Sequence, residues 1–363
     1  MDQADQILPD RYRLLEEPEL VNRIREHKRK FGRELIILTH HYQRQAIVDL
    51  GDFRGDSFGL SQKAAAETRA RYIVFCGVHF MAEAAATLAR SDQAVFLPDL
   101  RAGCPMADMA AIDDVERAWQ DIEQAVGPER TVPLTYMNSD VELKAFCGRN
   151  LGAVCTSSNA PAAFDWAFKR GEKILFFPDE HLGRNTAAKK GIQDVLVWDP
   201  AQEMGGHTVA AIRQARVIVW KGYCHVHTFF KPEHIEQRRR EFPGAKVVVH
   251  PECPREVVAL ADADGSTEFI IRYVAQAPAG ATVVVGTEIH LVERLARENA
   301  PEKKVVELAY SICPNMYRIN LPQLLWVLDS LADGPEHWVN HIQVAEPLRS
   351  EARLALDRML EIR

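Results

Sequence analysis

The chain has 363 residues, of which 47% are apolar and 26% charged, with a net charge of −7 at pH 7. That length exceeds one ordinary core and calls for about two or three domains, and the acidic balance argues against a broad nucleic-acid footprint. No apolar run reaches the length of a membrane span, and the polar start MDQADQILPDRYRLLEEPEL lacks the apolar core of a signal peptide. The expectation is a cytoplasmic protein with no nucleic-acid or membrane partner. Thiols stay reduced there, so the seven cysteines speak for metal binding, catalysis or packing rather than disulfides.

In chain order, a strand-like run ELIILTHHY (34–42) carries His40 and Tyr42, and Ser57 opens the helical stretch SFGLSQKAAAE. A further strand RYIVFCG (71–77), a helix and the apolar run of AVFLPDLRAGC then lead to Cys104. The order repeats. TVPLTYMN (131–138) holds Tyr136 and Asn138, TSSNAPAAFDWAF holds Ser157, KILFFPD (173–179) is the next strand, and RVIVWKGYC ends in Cys224. It repeats again with His250 and Glu252 in KVVVHPE (246–252), Ser266 and Thr267 in GSTEFIIRYV, the strand ATVVVGT (281–287), and KVVELAYSIC ending in Cys313.

Ser57 to Cys104 and Ser266 to Cys313 both span 47 residues, while Ser157 to Cys224 spans 67. The excess falls on DPAQEMGGHTVAAIRQA (199–215), a loop and helix between two apolar runs. Alternating strands and helices indicate parallel sheets covered by helices. The predicted fold is therefore α/β, three similar αβα repeats at 31–110, 111–230 (with the insertion) and 231–316, flanked by helical segments at 1–30 and 317–363. Ligands of such sheets bind beyond the carboxyl ends of the strands, which is where the residues named above fall.

Cys104, Cys224 and Cys313 each sit near a Gly, Pro or His suited to a loop. If the three repeats face a common axis, these thiols converge. Three thiolates in a reducing compartment suit iron–sulfur or zinc, and the lack of any C-x-x-C pair argues against a structural zinc finger. A three-cysteine [4Fe–4S] cluster leaves one iron without a protein ligand, open to act as a Lewis acid in loss of water. Cys76 and Cys155, inside apolar runs, are read as packing residues, while Cys147 and Cys253, near helix ends, are left open with packing favoured. Ser57, Ser157 and Ser266 read either as N-caps, worth about 1 kcal/mol each, or as anion sites at helix N-termini. His40, Tyr42, Tyr136, His227, His250 and Glu252 are candidates for proton transfer.

These residues resemble the quinolinate synthase (NadA) family of NAD biosynthesis over about residues 34–318. The resemblance rests on THHYQ, GDS, VFCGVHFMAE, LPDLRAGCPMADM, YMNS, CTSSNA, PDEHLGRN, WKGYCHVH, HPEC, GST, GTEIHLV and CPNM, all in the family's order. It implies three αβα domains about a pseudo-threefold axis and a central [4Fe–4S] cluster ligated by Cys104, Cys224 and Cys313. It implies condensation of iminoaspartate with dihydroxyacetone phosphate to quinolinate, with loss of phosphate and two waters, and a separate enzyme supplying iminoaspartate. Catalytic roles then fall on Glu252, Tyr42, Tyr136 and His250, and substrate binding on His40, Ser57, Asn138, Ser157, His227, Ser266 and Thr267. The sequence departs from the family at His41, where Tyr is frequent, after GST, at His290, and in having Cys313 alone where some members carry C-x-x-C-x-x-C. Two rivals remain at this level. Another [4Fe–4S] hydro-lyase acting on a hydroxy acid would need no phosphate site, and an iron-sensing regulator would need a DNA-reading element that is not visible.

Overall fold

The computed structural model describes residues 7–362. Its strands, in chain order, are β1 (Leu35–His40), β2 (Phe53–Gly55), β3 (Tyr72–Cys76), β4 (Ala94–Phe96), β5 (Thr131–Tyr136), β6 (Ala153–Cys155), β7 (Lys173–Phe177), β8 (Val195–Trp198), β9 (Val217–Trp220), β10 (Lys246–Val249), β11 (Ala263–Asp264), β12 (Thr282–Gly286), β13 (Lys304–Glu307) and β14 (His341–Ile342). β1, β5 and β7 are buried along their whole length. That is why they read as continuous apolar runs: in a parallel sheet covered on both faces, both sets of side chains leave water. Each fully buried Val, Leu or Ile contributes about 1.5–3 kcal/mol.

The strands form three sheets, ordered β14-β4-β3-β1-β2, β6-β5-β7-β9-β8 and β11-β10-β12-β13. Without the edge strands β14 and β8, all three share one order, with the first strand of each repeat between its second and third and the fourth outside the third. Every pairing is parallel except that of β14 with β4. The central pairs end in matching register, Thr39 beside Cys76, Thr135 beside Phe177 and Val249 beside Gly286. His40, Tyr136 and His250 therefore stand at the same place in three sheets.

The chain divides into two compact units, residues up to Cys104 with Ile312–Ala345, and Pro105–Ser311 with Glu346–Arg363. In the first, which carries the β1 sheet, helix Glu17–Phe31 packs against helix Leu321–Asp333. Asp329 joins them, accepting from Tyr12 Oη at 2.9 Å and Arg23 at 2.8 Å and meeting His27 Nε2 at 2.6 Å. In the second, which carries the other two sheets, helix Leu348–Glu361 lies on helix Val141–Arg149. The two backbones touch at Gly148, where a Cβ would lie 1.8 Å from the Glu351 carbonyl oxygen.

Two features differ from the sequence expectation. The terminal segment 317–363 is helical as expected but also contains β14, whose two residues carry no strand pattern. The insertion is larger than a loop and helix: β8 precedes it and joins β9 as an outer strand, so the middle repeat gains a strand, a 3₁₀ turn (Glu203–Gly206) and a helix (Val209–Gln214). Of the helical segment expected at 1–30, residues 1–6 lie outside the described residues.

Candidate active site

One hydrogen bond occurs three times. The first backbone N–H of the helix after the third strand of each repeat donates to the carbonyl two residues before a cysteine. The pairs are His79 to Ala102, Glu180 to Gly222 and Ile289 to Ser311, each at 2.8 Å. Cys104, Cys224 and Cys313 are therefore equivalent residues of three copies. Cys224 and Cys313 also share a backbone conformation, at φ −89°, ψ 118° and φ −92°, ψ 106°, each capping a short helix. Gly222 is required for this approach, since a Cβ there would lie 2.2 Å from the Pro178 carbonyl.

Burial separates the seven cysteines. Cys104, Cys224 and Cys313 are partly exposed, and Cys76, Cys147, Cys155 and Cys253 are buried. A thiol binds metal as the thiolate. Burial pushes the Cys76 thiol up to about 12 and also raises those of Cys147 and Cys155. Cys253 is raised by burial and then by the Glu252 charge. These four stay neutral, which leaves Cys104, Cys224 and Cys313 as the partly exposed thiols, of the donor type that iron–sulfur groups use. Cys224, His227 and Glu252 each place a ligand atom within 4.8 Å of one another, a set that can hold a metal.

Beside Cys224, in the second unit, lies a buried acid–base cluster. Glu252 is 2% exposed, His227 2%, His250 3% and Tyr136 5%. Glu252 Oε2 is 2.7 Å from His227 Nδ1 and 3.8 Å from His250 Nδ1. The two imidazoles stack, with centroids 4.3 Å apart. The Tyr136 hydroxyl donates to Glu252, and His227 Nε2 lies 3.3 Å from Thr287 Oγ1. Burial pushes the Glu252 carboxyl up, but the charges of His227 and then His250, with the hydrogen bonds, outweigh it and hold the carboxyl at about 2. Burial and then the neighbouring His227 push His250 down to about 3. At neutral pH Glu252 is therefore an anion and His250 is neutral. These interactions link Tyr136, Glu252, His227 and Thr287. Asn138 Oδ1 is buried with no protein partner among the described residues, so it is available to a ligand donor.

In the first unit, His40 and Tyr42 repeat the local design of His250 and Glu252. The Tyr42 backbone N–H donates to His40 Nδ1 at 3.1 Å, as that of Glu252 does to His250 Nδ1 at 3.4 Å. The Tyr42 and His40 rings meet edge to face at 4.7 Å. Each imidazole is held at Nδ1 by the backbone N–H two residues on.

The serines divide. Ser266 caps helix Thr267–Gln276, accepting from Phe269 N at 3.3 Å. At helix Ser57–Ala66 the cap is instead Asp56, which accepts from Gly59 N at 2.8 Å, and Ser57 is the first helical residue. Ser157 lies in the turn before helix Ala160–Phe168, whose N-cap is Asn159. The capping account of these serines thus holds for Ser266 and fails for Ser57 and Ser157.

Sequence reasoning assigned no role to Asp179, Asn185 or Thr287, although PDEHLGRN and GTEIHLV contain them. Asp179 is fully buried and caps helix Glu180–Lys189 through Leu182 N at 2.5 Å. Burial and then Glu252 raise its carboxyl well above the usual range. Glu288 occupies the matching cap of the third repeat, accepting from His290 N at 2.9 Å. An acid at the end of a strand, opening a helix, is the signal that identifies both.

Three parallel sheets with one strand order, thiols after the fourth strands and a buried carboxylate–imidazole cluster give an α/β protein whose residues are of the types that hold metals and exchange protons. The family model described as Quinolinate synthetase A protein matches residues 22–361. The chain is 52% identical to the quinolinate synthase of Acidobacterium capsulatum over 360 residues, 98% of this chain and 96% of that protein. It is 49% identical to that of Rhodopirellula baltica, covering 100% and 96%, and 46% identical to that of Corynebacterium glutamicum, covering 98% and 91%. The chain belongs to the quinolinate synthetase A family. Among the described residues no helix is long and apolar enough to cross a membrane.

Proposed function

We propose that the enzyme condenses iminoaspartate with dihydroxyacetone phosphate, forming quinolinate and releasing phosphate and two waters, with a [4Fe–4S] cluster on Cys104, Cys224 and Cys313. Family membership supports the reaction, and the observation that carries it is the buried Tyr136–Glu252–His227 relay beside a partly exposed thiol. When bound, the cluster supplies a Lewis acid that assists loss of a hydroxyl group as water.

The chain's own residues supply the rest. Forming the ring requires enolisation, imine formation with loss of one water and a dehydration that loses the second, each with a proton to remove or deliver. Glu252 is ionised and shares any proton it takes with His227, 2.7 Å away. As a lone carboxylate held at about 2 it would be a weak base; the imidazole beside it gives the proton a second site. Tyr136, hydrogen-bonded to Glu252, returns protons, and Tyr42 and His250 are the further acid–base groups. Ser57, Ser157 and Thr267 offer hydroxyls at helix starts to the carboxylates and the phosphate ester, joined by Asn138, His40, His227 and Ser266. Iminoaspartate comes from a separate enzyme, and the compartment is the cytoplasm.

The test is anaerobic incubation of cluster-reconstituted protein with both substrates, following quinolinate by chromatography and phosphate colorimetrically. One phosphate per quinolinate is expected. Visible cluster absorption with neither product would favour the rival hydro-lyase acting on a hydroxy acid.

A further inference from the structure

Helix Glu180–Lys189 of the second unit follows β7 and packs against helix Arg255–Leu260. Its two ends of contact meet both loops that carry the site. At its start, the Glu180 N–H donates to the Gly222 carbonyl at 2.8 Å, two residues before Cys224, and Asp179 accepts from Leu182 N. Farther along, Asn185 is 3% exposed and donates through Nδ2 to the Pro251 carbonyl at 2.8 Å and the Cys253 carbonyl at 2.9 Å. These are the peptide oxygens on either side of Glu252. An amide nitrogen has two hydrogens in one plane, and here each meets one carbonyl, so a single side chain fixes the spacing and orientation of the segment that presents Glu252.

The repeat does not require this residue. At the matching position of the other two helices, six residues past the cap, stand Ala84 and Arg294. Nor does the helix favour it, since Asn ranks below Ala, Leu and Lys in helix interiors. Its use is at the loop 66 residues away.

We propose that Asn185 is a positioning residue for catalysis: it clamps the backbone around Glu252 so that the carboxylate meets His227 and the reacting proton in one geometry. The proposal rests on the assignment of Glu252 to proton transfer. The Glu180 N–H, on the Gly222 carbonyl, does the corresponding work for the Cys224 loop. A displacement of about 1 Å at a reacting group costs on the order of 10²-fold in rate, so removal of the clamp predicts a fall in kcat of about 10–100-fold with KM changed little.

The experiment is a double-mutant cycle of Asn185→Ala with Glu252→Gln in cluster-reconstituted protein, reading kcat, KM, visible spectrum and folded fraction. If Asn185 acts through Glu252, the double variant is no slower than Glu252→Gln alone, and the cluster spectrum is unchanged in all forms. An Asn185→Ala variant that lowers kcat equally in both backgrounds, or that turns over within two-fold of the native enzyme, overturns the proposal. If Glu252→Gln itself is fully active, the assignment of Glu252 fails, which is a separate outcome. Asn185→Ser, smaller than the native residue, serves where the alanine variant is unstable. Loss of folded protein in proportion to activity in both variants makes Asn185 a fold determinant and also overturns the proposal.

Discussion

Replacing Glu252 by Gln tests the core of the mechanism, and the structure sets its expected size. Glu252 accepts from Tyr136 and meets His227 Nδ1 at 2.7 Å. Gln keeps the volume but loses the charge that faces His227 and puts an NH₂ in place of one buried carboxylate oxygen, so a buried polar group is left unpaired or the neighbouring groups must rearrange. A buried group left unpaired costs about 1–3 kcal/mol, a fraction of the roughly 5–15 kcal/mol that holds a domain folded, so the variant should fold. Catalysis should suffer more. Removing a general base costs about 10²–10⁴-fold in rate, or roughly 2.7–5.5 kcal/mol of barrier. The assay is quinolinate formation with saturating substrates, accompanied by circular dichroism and the visible spectrum to show that fold and cluster persist. Turnover within a few-fold of the native enzyme would refute the reasoning and leave Tyr42, Tyr136 or His250 to carry the proton.

Serine at Cys104, Cys224 or Cys313 should each abolish iron and sulfide incorporation, while serine at Cys76 or Cys155 should retain both; cluster loss in Cys253→Ser with retention in Cys224→Ser would reverse the assignment. Ser57→Ala and Ser157→Ala should weaken kcat/KM by about 1–3 kcal/mol each without lowering Tm, because neither caps a helix, whereas Ser266→Ala should also cost about 1 kcal/mol of stability. Equal Tm losses in all three would return them to capping. Asp329→Asn should show a pH-dependent cost. Burial pushes the Asp329 carboxyl up, but the hydrogen bonds from His27 and Tyr12 and the Arg23 charge hold it below its ordinary value. The unfolded chain therefore takes up the proton first as pH falls. The contribution, about 1–3 kcal/mol for a charged hydrogen bond, is complete above the ordinary carboxylate pKa of about 3.9 and is lost as pH falls through the folded value. A denaturation difference between native and variant that is unchanged from pH 7 to pH 3 would contradict this.

The sequence by itself determined the three-sheet α/β class and the places where chemistry collects. Strands buried on both faces must be apolar throughout, so β1, β5, β7, β10 and β12 are visible as runs, and the His, Tyr, Ser and Cys residues that follow them stand out by their polarity. The equal intervals from Ser57 to Cys104 and from Ser266 to Cys313 reflect one strand order used twice without insertion. Only the tertiary structure decided the rest. β14 exists because β4 offers an open edge, not because two residues prefer extension, and β8 adds to a sheet whose length the sequence does not state. Asp56 rather than Ser57 caps its helix because adjacent polar residues compete for the same N–H groups, and backbone angles settle which one reaches them. Burial, which separates three partly exposed thiols from four buried ones, is a property of the packed chain. So are the depressed pKa of Glu252, which depends on imidazoles from two segments, and the clamp of Asn185 on carbonyls 66 and 68 residues away. A hydrogen bond between distant residues leaves no periodicity in the sequence, since each partner obeys only the geometry of the fold that brings them together.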